Sequence, residues 1–167
     1  MKLKYLLTVF AFVMFSLIAN AQSKVGTVDT DYIISKMPEF TSVQEQAKAY
    51  NADLEKQLQS KVADYQSKLE IYQKGGFSDV MKKTKEEELI RLEQEINQFK
   101  QNGVQLAQLK QQELLRPLYQ KITKAISEIA KAGNYSQILN LGSVELAYFD
   151  EGHDITKKVM AKLDIKE

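Results

Sequence analysis

LEIYQKGGFSDVMKK, running from Leu69 to Lys83, sets the glycine pair Gly75-Gly76 between two segments of helical character. Glycine takes the left-handed conformation at which helices commonly end, and Ser78 or Asp79 can cap a returning helix. Upstream, Ala47, Tyr50, Leu54, Leu58, Val62, Tyr65, Leu69 and Tyr72 fall three or four apart and form one apolar stripe. Ala47, Leu58 and Leu69 keep an eleven-residue repeat, which suits a straight helix pair better than a heptad supercoil. Downstream, Leu89, Leu92, Ile96 and Phe99 keep heptad-like spacing, continued more loosely by Leu106, Leu109, Leu114 and Leu118. Phe40 to Lys131 shows almost no strand signal, so the pattern predicts a long antiparallel helical hairpin over residues 41–116, with its tip near 74–80.

Ser42 and Glu45 have capping-box spacing, so the first long helix is expected to begin at Ser42. From there to Gln73, at ~1.5 Å per residue, the arm is about 48 Å long. Asp64 with Lys68 and Glu87 with Arg91 have the favourable four-residue spacing, each worth only ~0.3 kcal/mol, so these pairs solvate the arm rather than hold it. Gly103 and Pro117 are local weak points. Pro117 reads as the junction with a body, where Leu118, Ile122, Ile126 and Ile129 dock.

The body comprises residues 22–40 and 117–167. Lys24 to Asp29 alternates and is β-branched enough to be a strand, and a short helix through Ile33 and Ile34 should end near Met37 because Pro38 follows. After the stop Gly133-Asn134, Tyr135–Leu141 and Glu145–Asp150 read as two strands of a hairpin joined by Gly142-Ser143. Asp154 can cap a last helix carrying Ile155, Val159, Met160 and Leu163 on one face. The fold class is therefore α+β, mostly helical, with a helical hairpin on a small three-strand body. Val25, Val28, Ile138, Leu139, Leu146 and Tyr148 are its candidate core and oligomerisation residues. Three strands make a poor independent core, and oligomerisation is the economical remedy.

Lys2 and Lys4, the uncharged apolar run Tyr5 to Ile18 and the small residues Ala19-Asn20-Ala21 read as a cleavable export signal, residues 1–21. The run is shorter than the roughly 20 residues of a membrane span. No cysteine is present, which fits an oxidising compartment and leaves the fold to packing alone. Loss of Lys2 and Lys4 leaves 21 of the 23 basic residues against 22 acidic ones, a formal charge of −1. That balance argues against nucleic acid as a partner.

Val28-Asp29 in the first strand, Ile33-Ile34, Pro38-Glu39, the charged Gln-, Lys- and Glu-rich middle, Tyr135-Ser136-Gln137-Ile138-Leu139 and Asp154-Ile155-Thr156 resemble the Skp/OmpH family of periplasmic chaperones. The resemblance covers essentially the whole mature chain. It implies a homotrimer whose strands complete a β-barrel-like core, with three hairpin arms around a cavity. It also implies an ATP-independent holdase that keeps unfolded outer-membrane β-barrel proteins from aggregating. The alternative is a periplasmic structural or adaptor coiled coil that bridges folded partners. The family's best-known members are strongly basic and this chain is near neutral, so a peripheral membrane or lipopolysaccharide contact is unsupported by charge and no lipopolysaccharide site is carried over. Lys74, Lys82, Lys83 and Lys85 near the tip read as a solvated face interleaved with Glu86, Glu87 and Glu88.

Tyr50, Tyr65, Tyr72 and Phe99 lie on the packing stripe, whereas Phe77, Val80 and Met81 at the tip are the candidate client-binding residues. His153, the single histidine, reads as a surface residue rather than a metal ligand. Asp29 and Asp31 are explained by a strand end and a helix cap rather than by paired-carboxylate chemistry. No nucleophile motif, phosphate loop or zinc spacing occurs, so no enzyme activity, catalytic residue, metal or cofactor is expected.

Overall fold

In the computed structural model, residues 23–166 are described. The expected signal, residues 1–21, lies outside the described residues. The chain divides into two compact units: a body, residues 23–36 and 121–166 of the described chain, and an arm, Met37–Gln120.

In the body, the β-branched run around Gly26 forms strand β1, Val25–Val28, and Asp29 then opens helix α1, Thr30–Lys36, by accepting the Tyr32 N–H at 2.8 Å. Strand β2, Gln137–Asn140, lies parallel to β1, with Val25 opposite Gln137 and Val28 opposite Asn140. The ladder is extended at its ends by Ser136 N–H to the Lys24 carbonyl and Leu141 N–H to the Val28 carbonyl, both 2.9 Å. On the other edge of β1, Thr27 forms a parallel bridge with Asp154, and the Ile155 N–H donates to the Thr27 carbonyl at 2.9 Å.

The three-strand body with a Tyr135–Asp150 hairpin is therefore corrected to a two-stranded parallel sheet plus a single bridge. Asn140 gives the physical reason. Its Oδ1 accepts from Thr30 N–H and Gly142 N–H, and its Nδ2 donates to Ser143 Oγ at 2.9 Å, so the chain turns off β2 instead of folding back along it. Residues 145–150 pair with no strand among the described residues.

The last helix, α4, spans Thr156–Lys162, one position later than an Asp154 cap would set it. Asp154 instead makes an Asx turn, accepting from the Thr156 N–H at 2.8 Å and hydroxyl at 2.6 Å. The buried apolar residues of the body are Val28, Ile33, Ile34, Ile122, Ala125, Ile155, Val159, Met160 and Ile165. Asn134, with φ 54°, closes the long helix below in a Schellman motif: Tyr135 N–H reaches the Ala130 carbonyl and Asn134 N–H the Lys131 carbonyl.

The arm is built from α2, Pro38–Lys74, and the part of α3, Asp79–Ala132, that precedes Lys121. α2 begins at Pro38, ahead of the expected Ser42. Met37 has the extended conformation (φ −69°, ψ 132°) favoured before proline, and proline at the first helical position forfeits no intrahelical bond. Ser42 is left inside the helix, where its Oγ accepts from Gln46 Nε2 at 3.2 Å. With 37 residues, α2 is about 55 Å long.

All eight stripe residues from Ala47 to Tyr72 are half-buried, and Leu89, Leu92 and Ile96 of α3 are buried. Beyond Phe99 the inward face departs from the leucine spacing. Gly103, Ala107, Lys110 and Leu114 are half-buried, while Leu106 and Leu109 are 38% and 53% exposed. Steps of three or four from Phe99 reach 103, 107, 110 and 114, so helical phase rather than residue type selects the inner side. Lys68 bonds Glu88 across the hairpin at 2.7 Å and lies 3.3 Å from Asp64. Arg91 pairs with Glu95 at 2.7 Å rather than with the expected Glu87.

Candidate functional site

The tip follows from backbone conformation. Gly75 (φ 72°) and Gly76 (φ 85°) both occupy the region that side chains with a Cβ avoid, although nothing lies within 4 Å of either added Cβ. Glycine is needed there for conformation, not for space. Ser78 starts α3: its carbonyl accepts from Lys82 N–H at 2.9 Å and its hydroxyl from Met81 N–H at 3.4 Å.

The three candidate tip residues then separate. Phe77 is half-buried beneath Lys85, whose Nζ lies 4.9 Å from the ring centroid. Val80 and Met81 are 78% and 53% exposed. Behind them the Tyr72 hydroxyl donates to Glu86, which raises the tyrosine pKa above 10.0. The hydrogen bond between Lys68 and Glu88 raises the lysine above 10.5 and lowers the carboxylate below 4.5. Glu86 and Glu88 thus serve the hairpin itself, and the lysines near the tip share their surface with acids already engaged.

Farther along the arm the small residues Gly103 and Ala107 lie across from Ala47, Leu54 and Leu58 and leave a cleft of about 460 Å³. Phe99 closes one end of its apolar floor. Asn51, Gln108 and Gln111 are on its rim. A second hollow of about 410 Å³, bounded by Phe40, Val43, Gln44 and Leu115, shares Ala47, Asn51 and Gln111 with it. The leucine spacing hid this groove. The available signal was the pair of small residues, Gly103 and Ala107, in phase with Ile96 and Phe99.

The candidate body residues are dispersed. Val28 is buried, Val25 at the start of β1 is 38% exposed, and Ile138 and Leu139 are half-buried in β2. Leu146 is half-buried and Tyr148 is 84% exposed, both outside any strand. His153 Nδ1 lies 3.0 Å from Asp150 Oδ2, and its ring meets Tyr135 edge-on at 6.4 Å between centroids. Among the described residues no three His, Asp or Glu side chains gather to hold a metal, and no helix is long and apolar enough to cross a membrane.

A family model described as outer membrane protein (OmpH-like) matches residues 24–163. None of the curated proteins matches. A crystal structure of a candidate outer membrane chaperone (OmpH-like) from Caulobacter crescentus CB15 is similar to this chain with a TM-score of 0.64 and 18% identity, over 87% of this chain and 86% of that one. At that identity the likeness bears on the fold, a mostly helical hairpin with a small sheet.

Proposed function

The chain belongs to the OmpH-like family, and from that premise we propose that it is an ATP-independent periplasmic holdase for unfolded outer-membrane β-barrel proteins. Family membership supports the coarser role, a periplasmic chaperone. The observation that carries the finer one is the incompletely covered arm. Two long helices keep every residue of the outgoing stripe only half-buried, and the tip exposes Val80 and Met81. A surface of this kind can hold many apolar segments weakly, which suits a promiscuous binder. Such a role needs no catalytic group.

A homotrimer is the assembly we propose. A two-stranded sheet is too small to stand as an independent core, and β2 is an edge strand. Val25 and Tyr148, exposed in the single chain, are our candidates for burial between copies, together with the half-buried Ile138, Leu139 and Leu146. In the proposed assembly the client is held between the arms of the three copies.

Native mass spectrometry of the chain from Gln22, alone and mixed with a urea-diluted barrel protein, tests both parts. The expected result is a mass of three chains that gains one unfolded client. A monomer or dimer that leaves the client to aggregate would refute the holdase and favour an adaptor that grips folded partners.

A further inference from the structure

We propose that the arm groove between α2 and α3 is a binding slot for an extended, uncharged, strand-forming segment of the client; this rests on the holdase reading. The two adjoining hollows run from Phe40 and Leu115 to Leu58 and Phe99. Eighteen helical residues separate Phe40 from Leu58, so the groove is roughly 27 Å long. That length takes about eight residues of extended chain, close to the ~9–11 of a membrane-spanning β-strand. A barrel strand also alternates apolar and polar residues, so one of its faces matches an apolar floor while the other stays in water.

The rim identifies the occupant's backbone. Gln44, Asn51, Gln108 and Gln111 are exposed along the groove. Each carboxamide offers two donors and an acceptor capacity that an extended backbone can use. A helix satisfies its own backbone and is about 10–12 Å across, and an acyl chain has no polar groups. Either would cover the carboxamides without engaging them, at a desolvation cost. The remaining rim charges, Lys48, Glu55 and Lys100, are mixed in sign, which gives an anionic headgroup no cluster to bind.

Gly103 supplies the test. An added Cβ there meets nothing within 4 Å, so Gly103→Leu fills the groove while replacing a poor helix former with a good one. The probe is a fluorescent eight-residue peptide alternating valine and threonine, with a lysine–glutamate alternation as control. Binding to the intact protein is measured alongside suppression of barrel-protein aggregation and thermal melting. Gly103→Leu is expected to weaken valine–threonine peptide binding about tenfold or more, with a melting temperature no lower than wild type. If wild type suppresses aggregation but does not bind the peptide, or Gly103→Leu binds it unchanged, the slot is refuted and the holdase stands. If wild type suppresses no aggregation, the holdase reading fails and the slot with it. Myristate competing fully for the groove, or a change in oligomeric mass on Gly103→Leu, would put a lipid or a second copy there and overturn the proposal.

Discussion

Tyr135 is held by shape. Its ring stacks against Gly26 of β1 and Gly133 at the end of α3, and Lys24 Nζ lies 4.1 Å from its centroid while donating to the Gly133 carbonyl at 2.9 Å. A Cβ on Gly26 would fall 2.8 Å from both the Tyr135 ring and Ile138 Cδ1. Gly26→Ala is therefore expected to destabilise the protein by about 1–3 kcal/mol, measured by chemical denaturation; an unchanged midpoint would show that the ring moves aside freely. Gly103→Ala, at a site with open space, should instead stabilise by up to about 1 kcal/mol. Asp150 gives a residue-level pH signature. The Gly152 N–H, then His153, hold its carboxylate below 3.8. A depressed carboxylate contributes stability above its unfolded value and loses it as pH falls through the lower folded value. The Gly152 amide shift should titrate with a midpoint below 3.8 in wild type, and that transition should vanish in Asp150→Asn.

The two helices of the arm meet through one sparse apolar seam reinforced by cross-hairpin polar bonds. Leu92 is among its few buried residues, and Leu92→Ala should cost about 2 kcal/mol, the low end for such truncations because a thin arm can relax. Hydrogen exchange should locate the loss in the amides of Met37–Gln120, with the body amides unchanged. The Lys68–Glu88 bond adds a pH dependence. Glu88 is lowered, so its contribution is present above the unfolded value near 4.5 and fades as pH falls through the folded one. Lys68 is raised, so its contribution is present below 10.5 and fades as pH rises through the folded value. Both side chains are about one-third exposed, so the effect is screened. Lys68→Met should speed exchange in the arm near neutral pH, and the difference from wild type should shrink once Glu88 is protonated. A difference that persists in strong acid would assign it to lost lysine packing.

For the whole molecule, capture and stability should be separable. Val80→Ser with Met81→Ser removes exposed apolar surface and should leave the melting temperature and oligomeric mass unchanged while weakening suppression of barrel-protein aggregation. Equal suppression would move client binding away from the tip. The hairpin was legible in the amino acids because its determinants are local: a three-four apolar rhythm, a glycine pair able to turn left-handed, and a serine to restart the helix. Asp29 and Pro38 likewise bound their helices through neighbours a few positions away. The body was not legible to the same degree. β1 and β2 are short segments separated by the entire arm, and either could have paired antiparallel with the apolar residues after Gly142. The Asn140 side chain turns the chain aside through Gly142 and Ser143 beside it and through Thr30, 110 positions away, and Thr27 takes the distant Asp154 as its second neighbour. The groove escaped the pattern for a related reason. Leucines at 106 and 109 look like core, but which side of α3 faces α2 depends on the phase of two packed helices. The chain alone thus determined where it is helical and where it turns. Tertiary packing decided which strands meet and which apolar residues remain in water, because those choices depend on partners that local rhythm does not specify.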